Sequence, residues 1–255
     1  MIVTLSSVGG SPGVTSWALL LAAAWPSEFQ VERAVLEADL DGGVLGARYA
    51  VGVEPGAAAL VSGARRAESG PVDLSTCGRR IADDVWLVPG SESAEQARPV
   101  WSSRGAAESV ANALANDNRT WFVDAGRAGP TSVLAPLFER STMSLLFTRS
   151  EHEALVQVPA RVEGLKRVSG MSGVVVVGKP AFSPGELQQF FASHKLWVVE
   201  EDRHVVDSSR DVWSQRRARR SMLWRSAVTV AADVGDVTVY RTGSRAPGEE
   251  VSDAG

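Results

Sequence analysis

The chain has 255 residues, 44% hydrophobic and 22% charged, with a formal net charge of −4. That make-up predicts a soluble globular chain, long enough for one large α/β domain. A single cysteine, Cys77, excludes an internal disulfide framework and a zinc site of several thiolates, and His152, His194 and His204 have no metal-ligand spacing.

The first element is an apolar strand over Ile2–Ser6, followed by small residues and then a helix over Thr15–Ala24. The longest apolar run of the chain, Trp17–Trp25, is about half of the ~20 residues that span a bilayer. No Lys or Arg precedes Arg33, so the positive region of a signal peptide is missing and a cytoplasmic location is expected. Further strands are predicted over Ala34–Ala38, Val85–Val88, Thr120–Asp124, Ser144–Thr148, Gly173–Val177 and Leu196–Val199. Several are apolar throughout, as strands buried on both faces are. Helices are predicted between them, over Pro55–Ser62, Ser103–Ala115, Thr131–Glu139, Glu151–Arg167 and Ser183–Ser193, the last with Leu187, Phe190 and Phe191 as core contacts. This alternation predicts a doubly wound, mainly parallel sheet flanked by helices, as one domain over residues 1–241. Residues 242–255, rich in Gly, Ser, Pro and acids, are expected to form a disordered tail.

The segment between the first strand and helix carries the chemistry. It reads Gly9-Gly10-Ser11-Pro12-Gly13-Val14-Thr15-Ser16. Small residues let backbone N–H groups approach an anion, and the helix that follows adds its dipole, so this is a candidate phosphate loop. Its glycine spacing is not that of the dinucleotide fingerprint. A short-chain dehydrogenase is excluded as well, because neither Tyr49 nor Tyr240 has a lysine four residues on. Lysine occurs only at Lys166, Lys179 and Lys195, so the first 165 residues have none.

The order of motifs resembles the MinD/ParA family of P-loop ATPases, whose loop runs Lys-Gly-Gly-x-Gly-Lys-Thr-Thr. Gly10, Ser11, Pro12 and Gly13 match the Gly-Gly-x-Gly stretch, and Thr15 and Ser16 match the Thr-Thr pair. Gly9 stands where the family has its signature lysine, and Val14 where it has the phosphate-binding lysine. The run from Val35 to Asp41 is similar to the family's second strand, with Asp39 and Asp41 as its Asp-x-Asp pair. Trp121 to Gly126 resembles the Walker B strand, with Asp124 beside magnesium and Gly126 at the switch turn. Leu145–Ser150 with the helix after it, and Val198 to Asp202, resemble the later strands, so the likeness covers roughly residues 1–205.

The resemblance implies a site for ATP or ADP with Mg²⁺, weakened or lost without the two lysines. Residues 10–16, Asp124 and Gly126 would hold the nucleotide. Thr15, Asp39 and Asp124 would serve the metal, and Asp41 would be the catalytic, water-orienting residue if the protein is active. Arg127 is the candidate substitute cation. A non-catalytic or very slow protein is expected, positioning a partner of a pilus or secretion apparatus or of segregation machinery; proteins of the TadZ/CpaE type are a possible subgroup. The alternative is an active ATPase of chromosome or plasmid partitioning or of division-site placement. A homodimer across the loops is the family geometry.

The basic stretch from Arg210 to Arg225 interleaves Arg216, Arg217, Arg219 and Arg220 with Trp213, Met222, Leu223 and Trp224. It has two readings. One is contact with DNA or an anionic membrane, giving a nucleoid-associated or membrane-peripheral protein. The other is an amphipathic helix docking its apolar residues on the core, favoured by the negative net charge.

Overall fold

Strands that are apolar on both sides need helices on both sides, and the chain supplies them. The computed structural model describes residues 1–9, 12–66, 70–180, 182–191, 194–201 and 218–242. In chain order the elements are β1 (Ile2–Ser7), α1 (Val14–Ala24), β2 (Arg33–Glu37), α2 (Leu45–Tyr49), α3 (Ala57–Arg66), β3 (Arg79–Ala82) and β4 (Val85–Val88). Then follow α4 (Ala94–Ser102), α5 (Ala106–Ala115), β5 (Thr120–Asp124), α6 (Ala135–Glu139), β6 (Met143–Arg149) and α7 (His152–Leu155). The last are α8 (Val158–Val168), β7 (Ser172–Val177), α9 (Pro184–Phe190), β8 (Lys195–Val199) and α10 (Met222–Thr242).

The strands form one sheet of eight in the order β3-β4-β2-β5-β1-β6-β7-β8. Every pairing is parallel except that of β3 with β4. Successive residues on a strand point to opposite faces, and the core divides accordingly. Ile2, Leu36, Trp121, Val123 and Leu146 pack under α3, α5, α6, α8 and α9. Val3, Leu5, Val35, Phe122, Leu145 and Val175 pack under α1 and α10. Trp197 Nε1 donates to Asp233 Oδ2 at 2.7 Å, tying β8 to α10.

The expected strands all occur, within a residue or two of their predicted bounds. Other elements differ. β3 was not expected: it is a four-residue antiparallel edge strand carrying two arginines, too short and polar for an apolar pattern. Arg80 pairs with Glu32 at 2.7 Å and lies over the Trp86 ring. The helix expected over Ser103–Ala115 is α5, which begins after Gly105 at φ 70°, and α4, with Pro99 inside it, was not expected. The stretch Glu151–Arg167 is split into α7 and α8, next to Pro159. α6 starts four residues later than Thr131, after a turn. Leu187 and Phe191 are core residues as expected, but Phe190 is 53% exposed.

α10 is the largest departure, a 21-residue helix that reaches Thr242, the expected first residue of the tail. Leu223, Ala227, Val230, Ala231 and Val234 bury one stripe against α1, at helical spacing. Trp224 packs at the edge of that cluster, while Met222 is exposed. Arg219 and Arg220 are exposed in a short 3₁₀ turn before it, Arg219 stacking over Trp224. Arg210, Trp213, Arg216 and Arg217 lie outside the described residues, as do residues 243–255.

Leu20 on α1 is 2% exposed within the α1–α10 layer. Leu20→Ala is expected to cost about 2–5 kcal/mol, the range for deleting a close-packed leucine. Denaturant titration measures it.

Candidate functional site

Parallel strands deliver their following loops to one edge of the sheet, and β1, β2 and β5 are adjacent there. The loop after β1 is anchored on both sides. Ser7 N–H donates to Gly126 O at 2.8 Å and Val8 N–H to Phe147 O at 3.2 Å. The loop ends at Gly13, the N-cap of α1, at φ 82° and ψ 30°. That left-handed conformation suits glycine and few other residues. Among the described residues no side chain caps α1. Its first-turn N–H groups therefore remain open to an anion, at the positive end of the helix. Gly10 and Ser11 lie outside the described residues.

A cleft of about 250 Å³ opens at this point, lined by Ser7, Pro12, Gly13, Val14, Thr15, Asp39, Asp41, Gly126 and Arg127. The structure thus brings together most of the expected site. Ser16 and Asp124 lie behind it, both buried.

Three carboxylates converge below the cleft. Asp124 ends β5, in register with Leu5 of β1 and Glu37 of β2. Its side chain is buried, and Oδ1 accepts the Gly126 N–H at 3.0 Å. Burial pushes its pKa up to about 7; the Thr15 hydroxyl and the Gly126 N–H pull it down, and the charges of Glu37 and Asp39 push it up. Among the described residues the Oδ2 atom has no hydrogen-bond partner. Asp39, half-buried, accepts the Asp41 N–H at 2.9 Å, closing a turn. Burial raises its pKa as well. Gly126 sits against the Asp39 carboxylate at φ 56°, where any Cβ would strike that carboxylate.

Glu37 is a site residue that the sequence reading passed over. It is 1% exposed at the end of β2. Its carboxylate accepts the N–H groups of Val44 at 2.7 Å, Leu45 at 3.1 Å and Gly90 at 2.9 Å. Burial raises its pKa against the pull of those three donors. Glu37 thereby ties the loops after β2 and β4 together and fixes where Asp39 and Asp41 stand. The signal for it was an acid inside an apolar strand, overshadowed by the Asp-x-Asp pair that follows.

The cations around the cleft are arginines. Arg127 donates from Nη2 to Asp41 Oδ2 at 2.6 Å and from Nε at 3.2 Å. Arg98 of α4 donates to Asp41 Oδ1 at 2.8 Å. Those bonds, Arg127's first, hold the Asp41 carboxyl below the usual carboxylate range. Arg48 of α2 donates to the Ser16 hydroxyl at 3.3 Å. At the two positions of the missing lysines there is no cation. Val14 is 6% exposed, with its side chain in the apolar layer between α1 and the sheet. Gly9 borders open space, since a Cβ there would meet nothing within 4 Å. None of the three lysines lines the cleft.

The donor set fits a magnesium ion of the kind that takes most of its ligands from phosphate and water. Among the described residues no three acidic, histidine or cysteine side chains form a protein-only metal cage. Asp124 Oδ2 is nevertheless a buried acceptor with no partner among the described residues, on a carboxyl that feels both the Thr15 hydroxyl and Asp39. Such an ion would neutralise phosphate charge.

No family profile and no curated protein sequence matches the chain. Solved structures do. The cell division ATPase MinD of Pyrococcus furiosus matches with a TM-score of 0.72 at 16% identity, over 92% of this chain and 98% of that one. MinD of Pyrococcus horikoshii, complexed with Mg-ADP, matches at 0.70 and 16% identity over 96% and 100%. The ParA family ATPase of Chlorobium tepidum TLS matches at 0.70 and 15% identity over 91% and 97%. The chain has the fold of the ParA/MinD-type P-loop ATPases, as the motif order led us to expect.

Glu37→Ala removes a buried acceptor of three N–H groups and is expected to destabilise by about 3 kcal/mol or more, read by denaturant titration. A second prediction concerns pH. Asp124 is raised from its ordinary 3.8 to about 7. Between those values the folded state keeps a proton that the unfolded state has released, so this group's contribution falls as pH rises from about 4 to 7. Asp124→Asn should flatten that fall and raise the melting temperature at pH 8 by roughly 3 °C, in EDTA so that metal binding does not intervene.

Proposed function

We propose that this chain is a P-loop scaffold that binds Mg-nucleotide weakly and hydrolyses it very slowly or not at all. Its output is the positioning of a partner protein of a pilus, secretion or segregation apparatus. The carrying observation is the loop itself, which offers backbone amides and a helix N-terminus but has Val14 packed into the core and Gly9 without a side chain. Phosphoryl transfer depends on cations fixed where charge develops, and one such donor commonly contributes ~100- to 1,000-fold in rate. The Mg-ADP carried by the Pyrococcus horikoshii relative supports a nucleotide in the same cleft. The Asp39, Thr15 and Asp124 set supports a metal there. Asp41, which would orient the water, has both carboxylate oxygens engaged by arginine, and this supports the slow reading over an active partitioning ATPase.

Self-association is part of the proposal in a changed form. Without a side chain at Gly9 to reach a partner's nucleotide, a homodimer would be held by direct contact and would not depend on ATP. Exposed Arg219 and Arg220 at the start of α10 support an anionic or protein contact there. No helix among the described residues is long and apolar enough to cross a membrane.

Restoring the lysines tests the reading. The native protein is expected to release phosphate from Mg-ATP no faster than buffer. Gly9→Lys, which open space accommodates, combined with Val14→Lys should strengthen Mg-ATP binding by about tenfold or more, as charge-assisted hydrogen bonds to phosphate do. Steady turnover by the native protein that is lost in Asp41→Ala would identify an active ATPase instead.

A further inference from the structure

The Asp41 carboxylate is held like a bound anion. Its two oxygens are divided between two guanidiniums, Arg127 on Oδ2 and Arg98 on Oδ1. Paired N–H donors on one planar cation are the geometry with which arginine takes up phosphate oxygens. The carboxylate and Arg127 both line the cleft, facing the Gly13–Thr15 start of α1. Arg127 belongs to the loop that follows Asp124, immediately after Gly126, whose backbone is pinned to β1 through Ser7. Asp41 stands on the loop positioned by Glu37 and by the Asp39 turn. Cation and carboxylate are therefore carried by separate, anchored segments, and the link between them is side chain to side chain and solvent-exposed, with Arg127 63% exposed. Exposed pairs of this kind are worth little and exchange readily.

We propose that Arg127 is the phosphate-binding cation of this cleft and that Asp41 is its internal competitor, occupying the guanidinium until a polyphosphate displaces it. The inference rests on the nucleotide-site reading above and adds to it how the site is regulated. An entering polyphosphate takes the N–H donors that Asp41 gives up, while the α1 amides hold its other oxygens. Asp41 then retains Arg98, so its charge stays balanced when Arg127 turns to the ligand. An acid at this position that only oriented water, or only repelled anions, would act on affinity independently of Arg127.

That difference makes a double-mutant cycle decisive. Isothermal titration calorimetry on the full chain would compare the native protein with Asp41→Asn, Arg127→Gln and the double variant. The probes are Mg-ATP, inorganic tripolyphosphate and adenosine, so that a nucleotide requirement is separated from plain polyphosphate binding. Asp41→Asn is expected to tighten Mg-ATP by about five- to tenfold, the scale of one or two exposed ion pairs released. Arg127→Gln should weaken it by about tenfold or more. In the Arg127→Gln background Asp41→Asn should change affinity by no more than about twofold, the remainder expected from removing one screened charge. Unchanged melting temperatures would verify that the variants fold. Equal tightening by Asp41→Asn with and without Arg127 overturns the competitor role, as does tightening by Arg127→Gln, while leaving the nucleotide site standing. Binding of neither Mg-ATP nor tripolyphosphate by any variant, Asp41→Asn included, removes the nucleotide site itself and the inference with it.

Discussion

Everything at the cleft depends on parallel pairing at the centre of the sheet. β1 lies between β5 and β6, and β2 lies beside β5, all running the same way. Parallel strands cannot be joined by tight hairpins, so each connection must cross a face, and all the loops that follow the strands leave at one edge. Leu5, Glu37 and Asp124 are held in one register by backbone hydrogen bonds alone. The phosphate-loop candidate, the Asp39 turn and the Gly126 turn are consequently neighbours, although the first and last of them lie more than a hundred residues apart in sequence. Side chains need only complete what the ladder has already aligned.

Placing carboxylates there has an electrostatic cost, and the structure meets it unevenly. Glu37 is offset by three backbone donors, a fully internal solution. Asp41 is offset at the surface by two arginines. Asp124 has one backbone donor and, among the described residues, no partner for Oδ2; burial pushes its pKa up to about 7. The least compensated acid is thus the one deepest under the α1 N-terminus, where a metal ion bound with phosphate would relieve it. Compensation grows toward solvent and toward the loops that Glu37 ties together.

How much of this was legible follows from what each signal depends on. Strands such as Thr120–Asp124 are apolar on both sides because both sides are covered, so their pattern survives in the sequence. The Gly13, Asp39, Asp124 and Gly126 positions were legible because their spacing to the strand ends is local. β3 was not, since an edge strand with arginines faces water and needs no apolar run. α4 was missed because Pro99 interrupts its helical pattern, the start of α5 hung on one left-handed glycine, and the α7–α8 boundary hung on one proline. α10 was legible only at its start, as the amphipathic alternative that docks Leu223 and Trp224 on the core, while its continuation through Ala227, Val230 and Val234 was not expected. The Asp41 pairings with Arg98 and Arg127 join residues 57 and 86 positions apart, and no local pattern announces them. Glu37 was readable in principle, as a charge in a strand that has no exposed face.

Arginine at the rim is not a replacement for lysine in the loop, and the difference separates binding from turnover. A lysine at the position of Val14 would rise from the first turn of α1, fixed by the helix against the phosphates. Arg127 approaches from across the sheet edge, exposed to water and salt, and its attraction is screened over about 10 Å at ordinary ionic strength. A cation exposed in this way, if not fixed by the ligand, would interact with a bound polyphosphate and with the transition state to a similar degree. Uniform stabilisation of that kind improves binding without accelerating the chemical step. If Arg127 takes that role, moving the positive charge from the loop to the rim would preserve a nucleotide-responsive surface while giving up hydrolysis. Occupancy would then follow nucleotide concentration and salt, with no built-in timer to end it.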